Sequence, residues 1–203
     1  LSRLASNRQS IKTLDLSKSI KSFFNLMKPR VMSLVLFTSF VGLVIAPTSV
    51  EFDQSFFALL AVAIGAGAAG TLNMWYESDI DAVMSRTCLR PIPTGMISKK
   101  QALFFGTALS LISIVMLYQF SNFLSAALLA LTIGFYFFVY TIWLKKRTAQ
   151  NIVIGGAAGA LPPVIGWTIA TNYISIEPII LFLLIFLWTP SHFWALSLYK
   201  SKD

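Results

Sequence analysis

Three side chains with oxygen donors stand four residues apart in the stretch NMWYESDID: Asn73, Glu77 and Asp81. In a helix each residue advances about 100°, so the three fall at about 0°, 40° and 80° on one face, whereas Asp79 falls near 240° on the other side. Two carboxylates and an amide form an oxygen-ligand set suited to a hard cation such as Mg2+. Because Mg2+ keeps several waters and takes one or two carboxylates plus substrate phosphates, this face suits a metal-bridged diphosphate better than a closed protein metal site. The loop that follows, SRTCLRPIPTG, supplies Arg86 and Arg90, whose guanidinium forks bind phosphate bidentately. Pro91 and Pro93 stiffen that loop and Gly95 permits a turn. A second basic connection, WLKKRTAQN, contains Lys145, Lys146 and Arg147; Lys145 and Arg147 are candidates for cradling the same anion. The plain alternative is that the acids are solvated at a helix end and the basic residues only fix topology. Against it, carboxylates at a helix C-terminus oppose the macrodipole, and ionisable groups about one turn from apolar membrane default to a functional reading.

The elements that must position these residues belong in a membrane. Of 203 residues, 56% are hydrophobic and 12% are charged, half the roughly 25% charge of a soluble domain. Mean hydropathy is +0.73. A transmembrane helix needs about 20 apolar residues, and six stretches qualify: Arg30–Ala46, Phe56–Tyr76, Ala102–Phe120, Phe123–Leu144, Ile152–Ala170 and Pro178–Leu198. Short connections make neighbouring helices antiparallel. All 16 Lys and Arg fall on one side of this arrangement, before the first span, after the second, after the fourth and after the sixth. The other side carries only Glu51, Asp53 and Glu177. The positive-inside rule makes the basic side cytoplasmic, or the matrix side in a mitochondrion. The net charge of +8 is therefore topological and does not indicate nucleic-acid binding. A single cysteine, Cys88, excludes a disulfide framework.

Residues 1–29 form a basic, Ser-rich segment, read as cytoplasmic, ahead of a transmembrane domain over 30–203. A transit-peptide remnant is the alternative, opposed by Asp15; no apolar signal-peptide run is present. AIGAGAAG (63–70) and IGGAAGALPP (154–163) are rich in small residues that let membrane helices approach closely. Pro162, Pro163 and Pro190 interrupt apolar spans, and broken helices at membrane depth are tolerated where they line a cavity. His192 lies in the sixth span near two Trp residues. It is open to two readings: a hydrogen-bonded core histidine, or a contact for a flat substrate or its iron.

Taken together, these blocks resemble the UbiA superfamily of intramembrane prenyltransferases, whose signature is an Asn-x-x-x-Asp-x-x-x-Asp motif after the second helix. Here it reads Asn73, Glu77, Asp81, with Glu in the middle position. LMKPRVMSLVLFT (26–38), NMWYESDIDAVMSRTCLRPIPTG (73–95), NIVIGGAAGALPPVIGW (151–167) and FLWTPSHFWALSLYK (186–200) extend the resemblance across most of the chain. The RPIPTG loop and the TPSHFWAL block point to the heme-farnesylating branch. The resemblance implies an all-α polytopic bundle of nine transmembrane helices, of which six are present. It also implies a second acidic motif between helices six and seven, where this chain ends, so a C-terminally truncated member is expected.

The implied reaction transfers a farnesyl group from farnesyl diphosphate to a vinyl group of protoheme IX, with hydration, giving heme O for terminal oxidases in the bacterial inner membrane. Asn73, Glu77 and Asp81 are the implied catalytic and Mg2+-holding residues, with Arg86, Arg90, Lys145 and Arg147 on the diphosphate and His192 on the heme. Heme is then a substrate, the bilayer holds the prenyl tail, and heme A synthase or oxidase assembly factors are the implied partners. Rival readings are a UbiA-type aromatic prenyltransferase of quinone synthesis and a non-catalytic heme-handling membrane protein. A transporter should show repeated halves with matching broken helices, and no convincing repeat is found.

Overall fold

The computed structural model describes residues 19–199 except 146 and 149. The basic residues at positions 3, 8, 12, 18, 146, 200 and 202 thus lie outside the described residues. Every regular element described is helical: α1 (Ser19–Leu26), α2 (Pro29–Val44), α3 (Phe52–Val83), α4 (Lys99–Phe120), α5 (Phe123–Gly134) with a π-helical extension (Phe135–Leu144), α6 (Asn151–Ala160), α7 (Pro162–Thr171) and α8 (Ile176–Tyr199). Five units are long and apolar enough to cross a membrane: α3, α4, α5 with its extension, α6 with α7, and α8. The pair α1–α2, bent by 51°, makes a sixth if counted as one span. The expected first span is the weakest of the six, because α2 has 16 residues and stops at Val44.

Helix α3 is the spine. Its 32 residues rise about 48 Å at about 1.5 Å per residue, against a hydrocarbon layer of about 30 Å. The expected second span is the middle of this helix, and the acidic turns are its uninterrupted continuation. Around α3 pack α4 on one flank and α2 on another, with α7 lying against α2. The main apolar core includes Leu43, Ala58, Val62, Leu117, Leu129, Ile165 and Ile169. A smaller cluster of Leu26, Met74, Ile92, Ile97 and Ala102 ties α1 and the loop after α3 to the spine beside the acids.

Two of the three prolines behave as expected. The fifth span breaks at Leu161, and α7 begins with Pro162 at its first position, where a missing N–H costs nothing. Pro190 does not break its span: α8 runs through it from Ile176 to Tyr199. A proline removes one ladder bond, and a neighbouring hydroxyl can satisfy local backbone at membrane depth. Thr189 Oγ1 donates to the Ile185 carbonyl at 2.7 Å, a bond additional to the ladder; the carbonyl that Pro190 leaves without its N–H is that of Phe186.

Lipid gives helices little hydrophobic reason to associate, so close backbone approach matters. The crossing of α2 and α7 rests on two glycines: a Cβ at Gly166 would collide with the Ser39 carbonyl, and one at Gly42 with the Pro163 carbonyl. Gly166→Ala is expected to lower stability by about 1–3 kcal/mol through overpacking. Gly134→Ala, where a Cβ meets nothing within 4 Å, is expected to be neutral or mildly stabilising. Unfolding in detergent checks the contrast.

Candidate functional site

Because α3 stays helical through the acidic turns, Asn73, Glu77 and Asp81 share its inward face and are 2%, 7% and 3% exposed. Asp79 points the other way; its side chain is 82% exposed and pairs with Lys99 at 2.7 Å. Burying an ionised carboxylate costs several kcal/mol unless it is paired and hydrogen-bonded. The groups that meet this face come from three separate elements.

The first is the turn between α1 and α2. Lys28 adopts a left-handed backbone, φ 53° and ψ 65°, and the following Pro29 disfavours the ordinary helical conformation at this position. Its Nζ donates to Asn73 Oδ1 at 2.5 Å. The second is the loop after α3. Thr87 Oγ1 donates to the Asp81 carbonyl at 3.0 Å, Gly95 turns the chain at φ 76°, and Ile92 and Ile97 bury themselves against Met74. The loop folds back so that Arg90 Nη1 bonds Asp81 Oδ2 at 2.7 Å. The third is the π-helical extension of α5, whose i→i+5 bonding widens the turn so that residues five apart stack. Thr141 Oγ1 donates to the Tyr136 carbonyl and accepts from Asn73 Nδ2 at 3.2 Å. Lys145, five residues after Tyr140 and bonded through its N–H to the Tyr140 carbonyl, pairs with Glu77 Oε1.

A cavity of about 480 Å³ opens over this face, lined by Tyr76, Glu77, Asp81, Arg86, Arg90, Thr141 and Lys145 among others. A second, smaller cavity of about 120 Å³ lies further back along α3, adjoining the first where Thr141 bonds the Tyr136 carbonyl. It has Lys28, Gly70 and Tyr136 in its wall, and its deeper wall is apolar. The arrangement offers buried carboxylates and an amide, guanidinium and ammonium groups alongside, and an apolar channel leading away. It can hold a charged head group with an apolar tail.

Among the described residues no three His, Cys, Asp or Glu side chains converge into a metal-binding group, so any cation here would complete its coordination from ligand oxygens or water. Of the basic residues expected to act together, Arg86, Arg90 and Lys145 line the cavity. Arg147 is not among the lining residues; its guanidinium lies 6.0 Å from the centre of the Trp143 ring. His192 sits on the exposed surface of α8, stacked on Trp188 at 4.4 Å and edge-on to Phe193, and is also not among the cavity-lining residues. Sequence reasoning missed Lys28, Tyr136 and Thr141. Lys28 counted only as a topological charge, and nothing in FYFFVYTIWL signals a π-helix.

Comparison with known proteins places this geometry in context. A model of the UbiA prenyltransferase family matches residues 35–203. "Protoheme IX farnesyltransferase" of Pelagibacter ubique is 68% identical over 91% of this chain and 61% of its own length. "Protoheme IX farnesyltransferase 2" of Mesorhizobium japonicum is 62% identical over 89% of this chain and 58% of its own. The chain thus spans about three fifths of the length of the curated relatives it matches. A UbiA homolog from Archaeoglobus fulgidus, solved bound to GPP and Mg2+, superposes with a TM-score of 0.69 at 22% identity, over 88% of this chain and 64% of that one.

The Asn73 amide gives the site a direct test. Thr141→Val removes the acceptor of a buried N–H and is expected to cost about 1–2 kcal/mol. Thr141→Ser keeps the oxygen and should retain most of that stability. Denaturation in detergent checks both.

Proposed function

The chain belongs to the UbiA prenyltransferase family, and from that premise we propose that it transfers a farnesyl group from farnesyl diphosphate to a vinyl group of protoheme IX, with hydration, to give heme O. One observation carries the reading: the buried acid face of α3 opens into a cavity edged by Arg86, Arg90 and Lys145. A bare anion has no use for carboxylates, and a closed metal site has no use for three cations. A diphosphate arriving with its metal needs both. The choice of farnesyl and heme follows the names of the relatives that are 57–68% identical.

Asn73, Glu77 and Asp81 would hold Mg2+, which when bound neutralises the diphosphate as a leaving group. The donor set fits that ion, since the bonds described from Lys145 and Arg90 use one oxygen of each carboxylate, and Asn73 Oδ1, which accepts from Lys28, keeps a second lone pair. Arg86, Arg90 and Lys145, with Arg147 next along the same connection, carry the charge that grows on the diphosphate as the allylic C–O bond breaks. The farnesyl carbon joins the heme vinyl group, water adds its hydroxyl to the resulting cation, and a proton leaves. The tail lies in the apolar channel along α3, where exclusion of water limits wasteful hydrolysis. His192, exposed beside Trp188, is the proposed heme contact.

The sorting of basic residues supports an N-terminus and active face on the cytoplasmic side of a bacterial inner membrane. A basic segment 1–29 would precede the catalytic domain, and heme A synthase or oxidase assembly factors would take up the product.

The test is heme O formation in membranes of cells lacking their own heme O synthase, using the chain completed with the remaining helices of a relative. Glu77→Gln and Asp81→Asn are each expected to lower product by about 10²-fold or more. Full activity in both variants would sink the assignment of the acid face. His192→Ala is expected to lower heme turnover while leaving prenyl diphosphate binding intact; a defect confined to prenyl diphosphate binding would remove it from the heme site.

A further inference from the structure

We propose that the floor of the apolar channel, built by Val35, Val62, Leu129 and Ile165, sets the longest prenyl chain the protein accepts, with farnesyl as the limit. The inference rests on the prenyl diphosphate reading above. It goes beyond that reading by assigning chain-length selection to residues far from the acids.

The channel ends at one level on four of the helices that wall it. Val35 lines it on α2, Val62 on α3, Leu129 on α5 and Ile165 on α7. One turn deeper, Ser39, Ala58, Ala126 and Ile169 do not line it, and they are 0%, 0%, 4% and 5% exposed. Val62, Leu129 and Ile165 are themselves members of the packed apolar core, 0%, 3% and 1% exposed. The residues one turn behind the floor are thus packed in the interior.

The depth is fixed by the spine. Val62 lies eleven residues before Asn73 on one unbroken helix, a rise of about 16 Å. From Glu77 the rise to Val62 is about 22 Å, so an extended farnesyl chain whose diphosphate is held between these two levels ends at the floor. A longer isoprenoid would press its last unit into Val62 and Ile165. Midway, Ala66 lines the channel, so a larger side chain there would raise the floor. Beside it Gly65 shares the wall, and a Cβ on Gly65 would come within 2.9 Å of Leu129 Cδ1, so the bore is already narrow. The channel also has a side opening, since Val31 in its wall is 55% exposed and Gly159 is exposed.

The experiment measures Mg2+-dependent binding of geranyl, farnesyl and geranylgeranyl diphosphate to the full-length protein in detergent, with unfolding curves to check each variant. Wild type is expected to bind farnesyl diphosphate tightest and geranylgeranyl diphosphate about tenfold or more weaker. Ala66→Leu should keep geranyl binding and lose about tenfold or more for farnesyl. Val62→Ala combined with Ile165→Ala should bring geranylgeranyl close to farnesyl. If wild type binds geranylgeranyl as tightly as farnesyl, the tail leaves by the opening beside Val31 and Gly159 and the floor is overturned. That single measurement decides the matter even if the variants do not fold. Folded variants that keep the wild-type order also overturn it while leaving the function standing. Failure of all three diphosphates to bind would overturn the prenyl diphosphate reading and the floor with it.

Discussion

Two carboxylates buried at the end of a membrane helix dictate what surrounds them. Glu77 and Asp81 are more than nine-tenths buried, where an unpaired charge is prohibitive. Each must therefore be met by a cation brought from elsewhere in the chain. Local structure bends to this need. Lys28 reaches Asn73 from a left-handed backbone, a conformation that costs about 1–2 kcal/mol for a residue with a Cβ. Arg90 reaches Asp81 only because a loop with a glycine at positive φ folds back under α3. Lys145 reaches Glu77 from the end of a π-helical stretch, an arrangement uncommon outside functional sites. Three unusual backbone features converge on one face: two bring the cations that pair with Asp81 and Glu77, and the third brings the Lys28 ammonium to the Asn73 amide.

The opposite end of the bundle is held by a different chemistry. Asn122 caps α5, and its Nδ2 donates to the Thr168 carbonyl at 2.7 Å, while Ser125 Oγ bonds Thr168 Oγ1 at 3.0 Å. These neutral bonds fasten the α4–α5 turn to α7 without placing a charge at membrane depth, consistent with polar side chains linking helices in lipid. Next to the neutral end, the glycine contacts of α2 with α7 set the spacing. The apolar channel is the space that these fastenings leave open along α3.

Much of this was legible in the sequence because it depends on period and charge sign. The common face of Asn73, Glu77 and Asp81, and the outward turn of Asp79, follow from a 100° step. The all-helical membrane class follows from composition. What escaped notice depends on tertiary partners. Lys28 is indistinguishable by type from the other basic residues before the first span, and only the turn into α2 aims it at Asn73. Thr141 sits in a uniformly apolar run whose winding no local pattern discloses. Proline in an apolar span signals a break, yet α8 runs from Ile176 to Tyr199 through Pro190, losing one ladder bond and not the helix. Hydropathy bounds the second span where the apolar residues end, although the helix continues to Val83.

An unbroken spine also constrains how the chain can vary over time. Between Val62 and Asn73 the eleven-residue interval is close to a whole number of turns, so both ends present the same face. Replacing a residue within it alters bore or packing locally. Inserting or deleting a single residue would rotate one end by about 100° relative to the other. It would turn either the acids or the channel wall toward lipid. The segment can therefore drift in identity but not in length, and indels should be confined to the connections between spans.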